Sequence, residues 1–462
     1  MKPTGLKRRQ FVKYSALGLT GATLARMDVP GDRAAPDLKS PGKENSLYQK
    51  VLETPLIDTH EHVMNESERI RAGKSIGNKA NDWTFLLSHY FDSDLVVAGM
   101  SQADHDRFFS IALDPLDKWK LFEPFWPHVK HTGYGLNVRH TLKDVYGIDD
   151  LTAESVPKLE EAYHAGIKPG FYRRLLRDIG NIESCQVNLW PFLESEQPDL
   201  LMSDLHISGM IEENWDPRYA REAGIEVKTL DDWHRVIDYW ITTYGKKSVA
   251  VKSIMAYHRD LDCIRTPPEK VEKAFLKKVN KEPMTPAEQK ALEDHLFWHA
   301  VDRATEIGLP VKLHTGYYVG HGRMPLRRVQ GNPAAICELC QQSPETRFVL
   351  FHICYPYYEE MLAIAKHYPN AYIDMCWSWI INPLAAKDFL KKFLVAAPAN
   401  KIFTFGGDYI PVELVPGHAT IARQGITQAL SELVDERWMT LNEAMDLTDV
   451  IMHKNARNLY RL

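Results

Sequence analysis

Leu309-Pro310-Val311-Lys312-Leu313-His314 is a short apolar run that ends in a histidine. It belongs to a series of runs in the second half of the chain that are rich in β-branched or aromatic residues and bounded by turn residues. This pattern predicts short buried strands. The other runs are Ser248 to Met255, Arg347 to His352, Ala371 to Met375 and Lys401 to Phe405.

Amphipathic segments with helix-end signals separate these strands. Thr285-Pro286-Ala287-Glu288 supplies an N-cap hydroxyl, a proline at the first helical position and a glutamate that can bond back, and Gly308 ends the segment. Buried strands that alternate with helices predict parallel βαβ units. Weaker strands at Glu183 to Leu189 and Leu200 to Ile207 bring the count between Ile57 and Phe405 to eight. We therefore predict an α/β fold, a distorted TIM (β/α)8 barrel, although an open doubly wound sheet has the same alternation.

The barrel is predicted to occupy residues 47–462 and to contain a long insertion after its first strand. This insertion, residues 65–169, is rich in Trp, Tyr and His and is expected to be largely helical. Because the active sites of such barrels lie where the strands end, we expect the insertion to cover the site and to influence substrate choice.

The N-terminus has the composition of an export signal. Lys7-Arg8-Arg9-Gln10-Phe11-Val12-Lys13 precedes a mildly apolar run from Tyr14 to Ala25. Residues 1–26 resemble a twin-arginine signal peptide, and residues 27–46 are expected to be a linker. The resemblance implies a periplasmic or otherwise exported protein, the alternative being a basic disordered tail.

Composition excludes several classes of protein. The chain has 462 residues, 44% of them hydrophobic, and its formal charge of −5 becomes −10 once the five Lys and Arg side chains of the first 25 residues are removed. A nucleic-acid partner is therefore not expected, and no apolar run is long enough for a transmembrane anchor. Six cysteines are too few for a disulfide scaffold. Cys337 and Cys340 form a CxxC pair in a helical pattern, where we expect buried thiols.

Residues that bind divalent metals follow several predicted strands. His60 and His62, in Ile57-Asp58-Thr59-His60-Glu61-His62, are two apart on a strand and point to the same side. His314 and His352 each end a strand, and Asp408 follows the last one. In a parallel barrel these strand ends converge on one rim, so the pattern predicts a metal site there.

Neutral imidazoles and carboxylates suit Zn²⁺ first and Mn²⁺ second, as one or two ions. A catalytic ion lowers the pKa of bound water from about 16 to about 7 and polarises a substrate carbonyl. We expect Asp408 to act as the general base. His352 is either a further ligand or a catalytic residue that moves protons or binds substrate.

The ordered motifs resemble those of the amidohydrolase superfamily, specifically its amidohydrolase-related branch, over most of residues 50–462. The resemblance implies a distorted (β/α)8 barrel in which His60, His62 and His314 are metal ligands, His352 is the sixth-strand histidine, and Asp408 is both ligand and proton carrier. The matching motifs are Ile57 to His62, Val251-Lys252-Ser253-Ile254, Lys312 to Gly316, Phe351-His352, Gly407-Asp408 and Asn455 to Tyr460.

Lys252 lies on the fourth predicted barrel strand, where many binuclear members of the superfamily have a carboxylated lysine that bridges two metals. The surrounding sequence equally allows a lysine that binds a substrate carboxylate or forms an internal ion pair. If Lys252 is not carboxylated, we expect a mononuclear site.

Aromatic residues and one arginine follow the later strands, and they suit a planar or sugar-like small molecule that carries an anionic group. An alternative is that these aromatics pack against the insertion. Oligomerisation is compatible with the sequence. The predicted substrate-binding residues are Tyr257, Arg259, Tyr317, Tyr355 and Trp377.

The leading functional prediction is a metal-dependent hydrolase that uses metal-bound hydroxide on an amide, ester or lactone. The same site would also serve a nonoxidative decarboxylase or a uronate-type isomerase. A noncatalytic exported sugar-binding protein is the alternative outside enzymes.

Overall fold

A computed structural model describes residues 41–462, with side chains from residue 46 onward. The predicted export signal and the predicted linker up to residue 40 lie outside the described residues. Helix α1, Pro41–Glu53, contains the last residues assigned to that linker and precedes the first strand.

Eight parallel strands form one sheet, and their spatial order is their order along the chain. All eight predicted strands are present, and two further strands form a small antiparallel hairpin in the insertion. In chain order the strands are β1 (Leu56–Glu61), the hairpin strands β2 (Ser75–Ile76) and β3 (Lys79–Ala80), β4 (Ile182–Val187), β5 (Leu201–His206), β6 (Ser248–Ser253), β7 (Val311–Leu313), β8 (Phe348–Leu350), β9 (Ala371–Asp374) and β10 (Ile402–Phe403).

Backbone hydrogen bonds join β1 to the segment that follows β10. The amide of Thr59 donates to Phe405 O at 3.1 Å, and the amide of Asp408 donates to His60 O at 2.7 Å. The sheet is therefore a nearly closed barrel, which decides against an open doubly wound sheet. The closure also brings the first strand and Asp408 together.

The predicted insertion after the first strand is confirmed as largely helical, and it continues as far as β4. Its helices are α2 (Glu66–Arg71), α3 (Phe91–Val97), α4 (Gln102–Phe108), α5 (Lys118–Phe122), α6 (Trp126–Val129), α7 (Gly133–Tyr146), α8 (Val156–Gly166) and α9 (Phe171–Arg173).

Helices also follow the strands from β5 onward, whereas β4 and β5 are joined by residues 188–200 without a helix. At the start of α14, Thr285 Oγ1 accepts from the Glu288 amide at 3.2 Å, and Glu288 Oε2 accepts from the Thr285 amide at 2.9 Å, as the sequence predicts. These helices are α10 (Ser208–Ile211), α11 (Pro217–Ala223), α12 (Leu230–Thr243), α13 (Pro268–Val279), α14 (Pro286–Glu306), α15 (Leu326–Gln342), α16 (Glu359–His367), α17 (Ser378–Ile381), α18 (Pro383–Ala396), α19 (Val415–Asp435), α20 (Leu441–Asp449) and α21 (Asn455–Tyr460).

A buried ion pair lies inside the barrel. Lys312 Nζ on β7 is 2.7 Å from Asp204 Oδ2 on β5, and it also donates to Gln186 Oε1 at 2.6 Å and to Thr59 O at 2.8 Å. Buried charges are tolerated when they are paired and hydrogen-bonded in this way. Lys312 is thus fully engaged in joining strands.

None of the helices within residues 41–462 combines the length and the apolar composition needed to cross a membrane. The six cysteines are free thiols. Cys337 and Cys340 lie on α15, half-buried and buried respectively.

Candidate metal centre

Four histidines and an aspartate meet at the carboxyl ends of the barrel strands, and we call them the rim cluster. His60 lies on β1 and His62 directly follows it, whereas His314, His352 and Asp408 follow β7, β8 and β10. The barrel brings together every histidine and the aspartate for which the sequence predicts metal binding.

The Asp408 carboxylate lies between two pairs of histidines. Its Oδ1 is 3.0 Å from His62 Nε2 and 3.4 Å from His60 Nε2. Its Oδ2 is 3.8 Å from His352 Nε2, which in turn lies 3.0 Å from His314 Nδ1. His60, His62 and Asp408 thus offer three ligand atoms that all lie within 4.8 Å of one another.

Backbone carbonyl oxygens orient three of the four rings. Because a carbonyl oxygen only accepts hydrogen bonds, the facing ring nitrogen carries the proton and the other nitrogen keeps its lone pair. Metal-binding histidines are commonly oriented in this way. The contacts are His62 Nδ1 to Asn188 O at 2.9 Å, His352 Nδ1 to Cys376 O at 3.0 Å and His314 Nε2 to Tyr317 O at 3.0 Å.

These tautomers leave two lone pairs facing each other, on His314 Nδ1 and His352 Nε2. Two lone pairs 3.0 Å apart repel unless a proton or a cation lies between them. Burial lowers the pKa of His352 to about 4 and that of His314 well below its ordinary value, so an additional proton is disfavoured. His60 Nδ1 is also buried without a hydrogen-bond partner. The donor set fits a divalent metal ion.

Asp408 supplies the negative charge of the cluster. Burial by itself would raise the pKa of this carboxyl, but His60 and His62 beside it hold the pKa well below its ordinary value. Burial lowers the pKa of the neighbouring His60 well below its ordinary value. An ionised carboxylate beside imidazole nitrogens attracts a cation.

The backbone at Asp408 has a left-handed conformation with φ of 63°. Such a conformation is uncommon for residues other than glycine, although Asp and Asn tolerate it best. Neighbouring groups hold it in place, since the Tyr409 amide donates to Glu61 Oε2 at 2.7 Å and Tyr90 Oη donates to Asp408 O at 2.6 Å. The carboxylate is therefore fixed toward the histidines.

Lys252, on β6, is a buried lysine that faces the same region. Its Nζ lies 4.2 Å from the centroid of the Phe351 ring and has no ion pair within the described part of the chain. Burial lowers its pKa to about 8, an effect that Asp408 opposes. Because Lys312 forms the internal ion pair and Lys252 does not, metal bridging and substrate binding remain the two alternatives for Lys252.

Four of the five predicted substrate-binding residues lie around the rim cluster. The Tyr257 ring is 4.2 Å from the His314 ring, measured between centroids, and the Trp377 ring is 5.2 Å from that of His352. Tyr317 lies 5.7 Å from Trp377 and 5.9 Å from Tyr355 on the same measure.

The structure does not bring Arg259 to the cluster. Its Nη2 is 2.5 Å from Asp294 Oδ1 and its Nη1 is 3.2 Å from Glu293 Oε2, both on α14. Arg259 lines a separate cavity of about 900 Å³ that contains no residue of the rim cluster. Its guanidinium therefore stabilises the packing of α14 against the loop after β6.

Two site residues were missed in the sequence. Tyr90, at the start of α3, stacks on Trp377 with centroids 4.5 Å apart and donates to the Asp408 backbone. No local pattern in the insertion marks it. His206 ends β5, is buried, and lies 4.1 Å from the Trp190 ring between centroids. The rule that strand ends carry functional residues could have found His206.

A cavity of about 390 Å³ is lined mainly by tyrosines and by the loop 319–324, and it reaches the rim cluster only through two of its tyrosines, not through a residue of the cluster itself. Tyr90 and Tyr317 line it and also contact Asp408 and His314 through hydrogen bonds. Its size suits a small molecule.

Two ionisable side chains line this cavity without an ion-pair partner among residues 46–462, and burial raises the pKa of one of them, Asp94. Asp94 Oδ2 is buried and has no hydrogen-bond partner. Arg323, in the loop after β7, forms no ion pair within residues 46–462. Two glycines with positive φ, Gly320 and Gly322, precede Arg323 in this loop. A Cβ atom at either position would meet no other atom within 4 Å.

Known proteins match the part of the chain that carries most of this centre. Residues 277–462, which include His314, His352 and Asp408, match the family model described as amidohydrolase. The resemblance to the amidohydrolase superfamily is confirmed. The N-terminal half of the barrel, with His60 and His62, lies outside the matched residues.

Curated relatives add a full-length likeness. The chain is 20% identical to uronate isomerase of Xanthomonas euvesicatoria pv. vesicatoria over 463 residues, which cover 90% of this chain and 94% of that protein. It is 27% identical to protein fluG of Emericella nidulans over 229 residues, which cover 46% of this chain and only 26% of fluG.

A solved structure supports the architecture. The crystal structure of glucuronate isomerase from Caulobacter crescentus matches with a TM-score of 0.74 at 18% identity, covering 92% of this chain and 95% of that chain. At this identity the likeness shows the fold alone. It confirms the predicted (β/α)8 barrel.

Proposed function

We propose that this chain is a metal-dependent isomerase of the uronate type, which interconverts the aldose and ketose forms of a small sugar acid at the rim cluster. The cavity beside the cluster carries this proposal, because it combines tyrosines with one carboxylate and one guanidinium. The full-length likeness to uronate isomerase supports it.

Arg323 and Asp94, the two side chains of the cavity without an ion-pair partner in the described part of the chain, match the groups of such a substrate. The Arg323 guanidinium can bind a carboxylate with two parallel hydrogen bonds, and the Asp94 carboxylate can accept from sugar hydroxyls. Tyr90 and Tyr134, whose rings stack with centroids 5.5 Å apart, provide an apolar wall. Lys252 is a second cation for an anionic group that reaches the cluster.

The isomerisation moves the hydrogen of C2 to C1 and the hydroxyl proton of O2 to O1 of the open-chain sugar acid, so that the aldehyde becomes an alcohol and the C2 alcohol becomes a ketone. No water is consumed. A bound divalent ion would polarise the substrate oxygens. Asp408 and His352, whose carboxylate and ring are 3.8 Å apart at Oδ2 and Nε2, would hold and move the proton.

Direct assay of purified, metal-supplemented protein tests this proposal. We expect D-glucuronate or a related uronate to give a ketose of unchanged mass, detected by chromatography and NMR. The matched His62→Ala variant should give none. Conversion of an amide or lactone panel with no conversion of any uronate would contradict the isomerase.

Hydrolysis of an amide, ester or lactone is the second candidate, and the match to a family model described as amidohydrolase favours it. A hydrolase adds water to the bond that it breaks, so it would place ¹⁸O from labelled water in its product. An isomerase adds no water to its substrate. Release of carbon dioxide would indicate a decarboxylase. Sugar binding that survives His60→Ala with His62→Ala, without turnover, would indicate a noncatalytic protein.

We also propose that the protein is exported, on the strength of Arg8 and Arg9 in the N-terminal segment. Cell fractionation of the full-length chain should find it outside the cytoplasm. Replacing both arginines by lysine should retain it inside, and equal distribution of the two forms would contradict twin-arginine export.

A further inference from the structure

A second group of histidines lies on two helices of the barrel wall, and we call it the outer cluster. His234 belongs to α12, and His295 and His299 belong to α14. His295 and His299 are four residues apart, so they share one face of α14. All three side chains are half-buried.

The rings of the outer cluster are in contact. His234 Nε2 lies 2.8 Å from His295 Nε2. The rings of His234 and His299 stack with centroids 4.3 Å apart and an interplanar angle of 17°. A cavity of about 310 Å³, lined partly by His295 and His299, reaches the cluster from the surface.

Hydrogen bonds prepare these rings as ligands. His295 Nδ1 donates to Thr266 O at 2.7 Å, which leaves the lone pair on the Nε2 that faces His234. His299 Nε2 donates to Asp238 Oδ1 at 3.0 Å, so Nδ1 is the nitrogen of this ring that could bind an ion. This arrangement, with one nitrogen tied to an oxygen and the other available, is the one found around metal-binding histidines.

We propose that the outer cluster is a transition-metal site in which His234 and His295 are the primary ligands and His299 is the third. Without an ion, His234 Nε2 donates its proton to the lone pair of His295 Nε2, and on metal binding His234 takes the tautomer that carries the proton on Nδ1. At bond lengths of about 2.0–2.1 Å, two tetrahedral nitrogen ligands lie about 3.3 Å apart, so the two nitrogens separate by about 0.5 Å. His299 must move toward the other two rings to become the third ligand, because the three ligand atoms do not yet lie within 4.8 Å of one another.

The ion would join α12 to α14, the helices that precede β6 and β7. A ligand that binds only the folded state stabilises it by mass action. The site is independent of the reaction at the rim cluster, since it shares no residue with that cluster. Its expected effect is therefore on stability.

Metal counting on the full-length protein tests the proposal. After loading with Zn²⁺ and dialysis against metal-free buffer, the wild type should retain one more ion per chain than the variant His234→Ala with His295→Ala. Removal of two histidines elsewhere, His164→Ala with His367→Ala, should leave the number unchanged. Co²⁺ should give the corresponding difference in its visible absorption.

Two results would overturn the proposal. One is an equal Zn²⁺ content of the wild type and the double variant. The other is loss of the additional ion from the wild type during dialysis, which would indicate adventitious binding. If the alanine variant fails to fold, His234→Gln with His295→Gln preserves side-chain size and polarity, and its Zn²⁺ content decides the question.

Discussion

The rim cluster and the outer cluster are both groups of histidines in which hydrogen bonds to oxygen atoms orient several rings, yet they differ in burial and charge. The rim cluster is largely buried and has Asp408 between its rings. The outer cluster is half-buried, and its nearest carboxylate, Asp238, is already engaged by His299 and by Arg303 Nε at 3.0 Å. We therefore expect the outer cluster to bind an ion without catalysing a reaction, because a reaction also needs an ionised group and a cavity beside the metal.

Loss of His60 and His62 together should produce the largest effect. The variant His60→Ala with His62→Ala removes two ligand atoms that face Asp408, and several kcal/mol of charge stabilisation are lost with the ion. We expect kcat/KM to fall about 10⁴-fold. Zn²⁺ content should fall at the rim cluster while the ion of the outer cluster is retained. Near-normal activity would remove the rim cluster as the catalytic site.

Asp408→Asn should have the next largest effect, a fall in kcat of about 10³-fold, because proton transfer by a positioned group contributes about 10²–10⁴-fold. Asparagine tolerates the left-handed backbone at this position, so folding should be preserved. Circular dichroism checks the fold and steady-state kinetics the activity. An unchanged kcat would show that the carboxylate plays no part in the chemistry.

Lys252→Met separates the two alternatives for this lysine. A lysine that binds a substrate anion contributes about 1.5–3 kcal/mol, so KM should rise about 10- to 100-fold with the metal content unchanged. A carboxylated lysine that bridges two ions would instead cost one ion per chain. Mass spectrometry of the intact wild type, which detects the added carboxylate, provides the control.

The smallest effect on catalysis should come from the outer cluster. His234→Ala with His295→Ala changes no residue near the cavity beside the rim cluster, so kcat/KM should remain within about twofold of the wild type. The Zn²⁺-dependent increase in Tm should disappear, as measured by thermal unfolding with and without the ion. A large loss of activity in a folded variant would show that the two clusters are coupled.

Much of the fold could be predicted because buried parallel strands have a local signature. The runs ending at His314 and His352 form β7 and β8 with their histidines just beyond the last residue, and the capping box at Thr285 begins α14 as expected. Strand boundaries were less exact, since β10 comprises only Ile402–Phe403. The residues that follow β10 are held at the rim by loop hydrogen bonds, and such bonds leave no periodic pattern in the sequence.

The candidate site was predictable to the extent that its residues follow strands. Tyr90 was not, because its contact with Asp408 spans 318 positions and depends on how the insertion folds over the barrel. Arg259 is the opposite case, because it follows a strand in the sequence but does not lie at the site. The sequence does not reveal that α14 supplies two carboxylates that pair with its guanidinium.

The sequence by itself determined the order of strands and helices and the residue types at the strand ends, because hydrophobic periodicity and capping are local properties. Only the tertiary structure decided that the sheet closes and that Asp408 lies between the two pairs of histidines. It also decided that Lys312 is paired while Lys252 is not. Distances, tautomers and burial depend on residues far apart in the chain, and only packing brings those residues into contact.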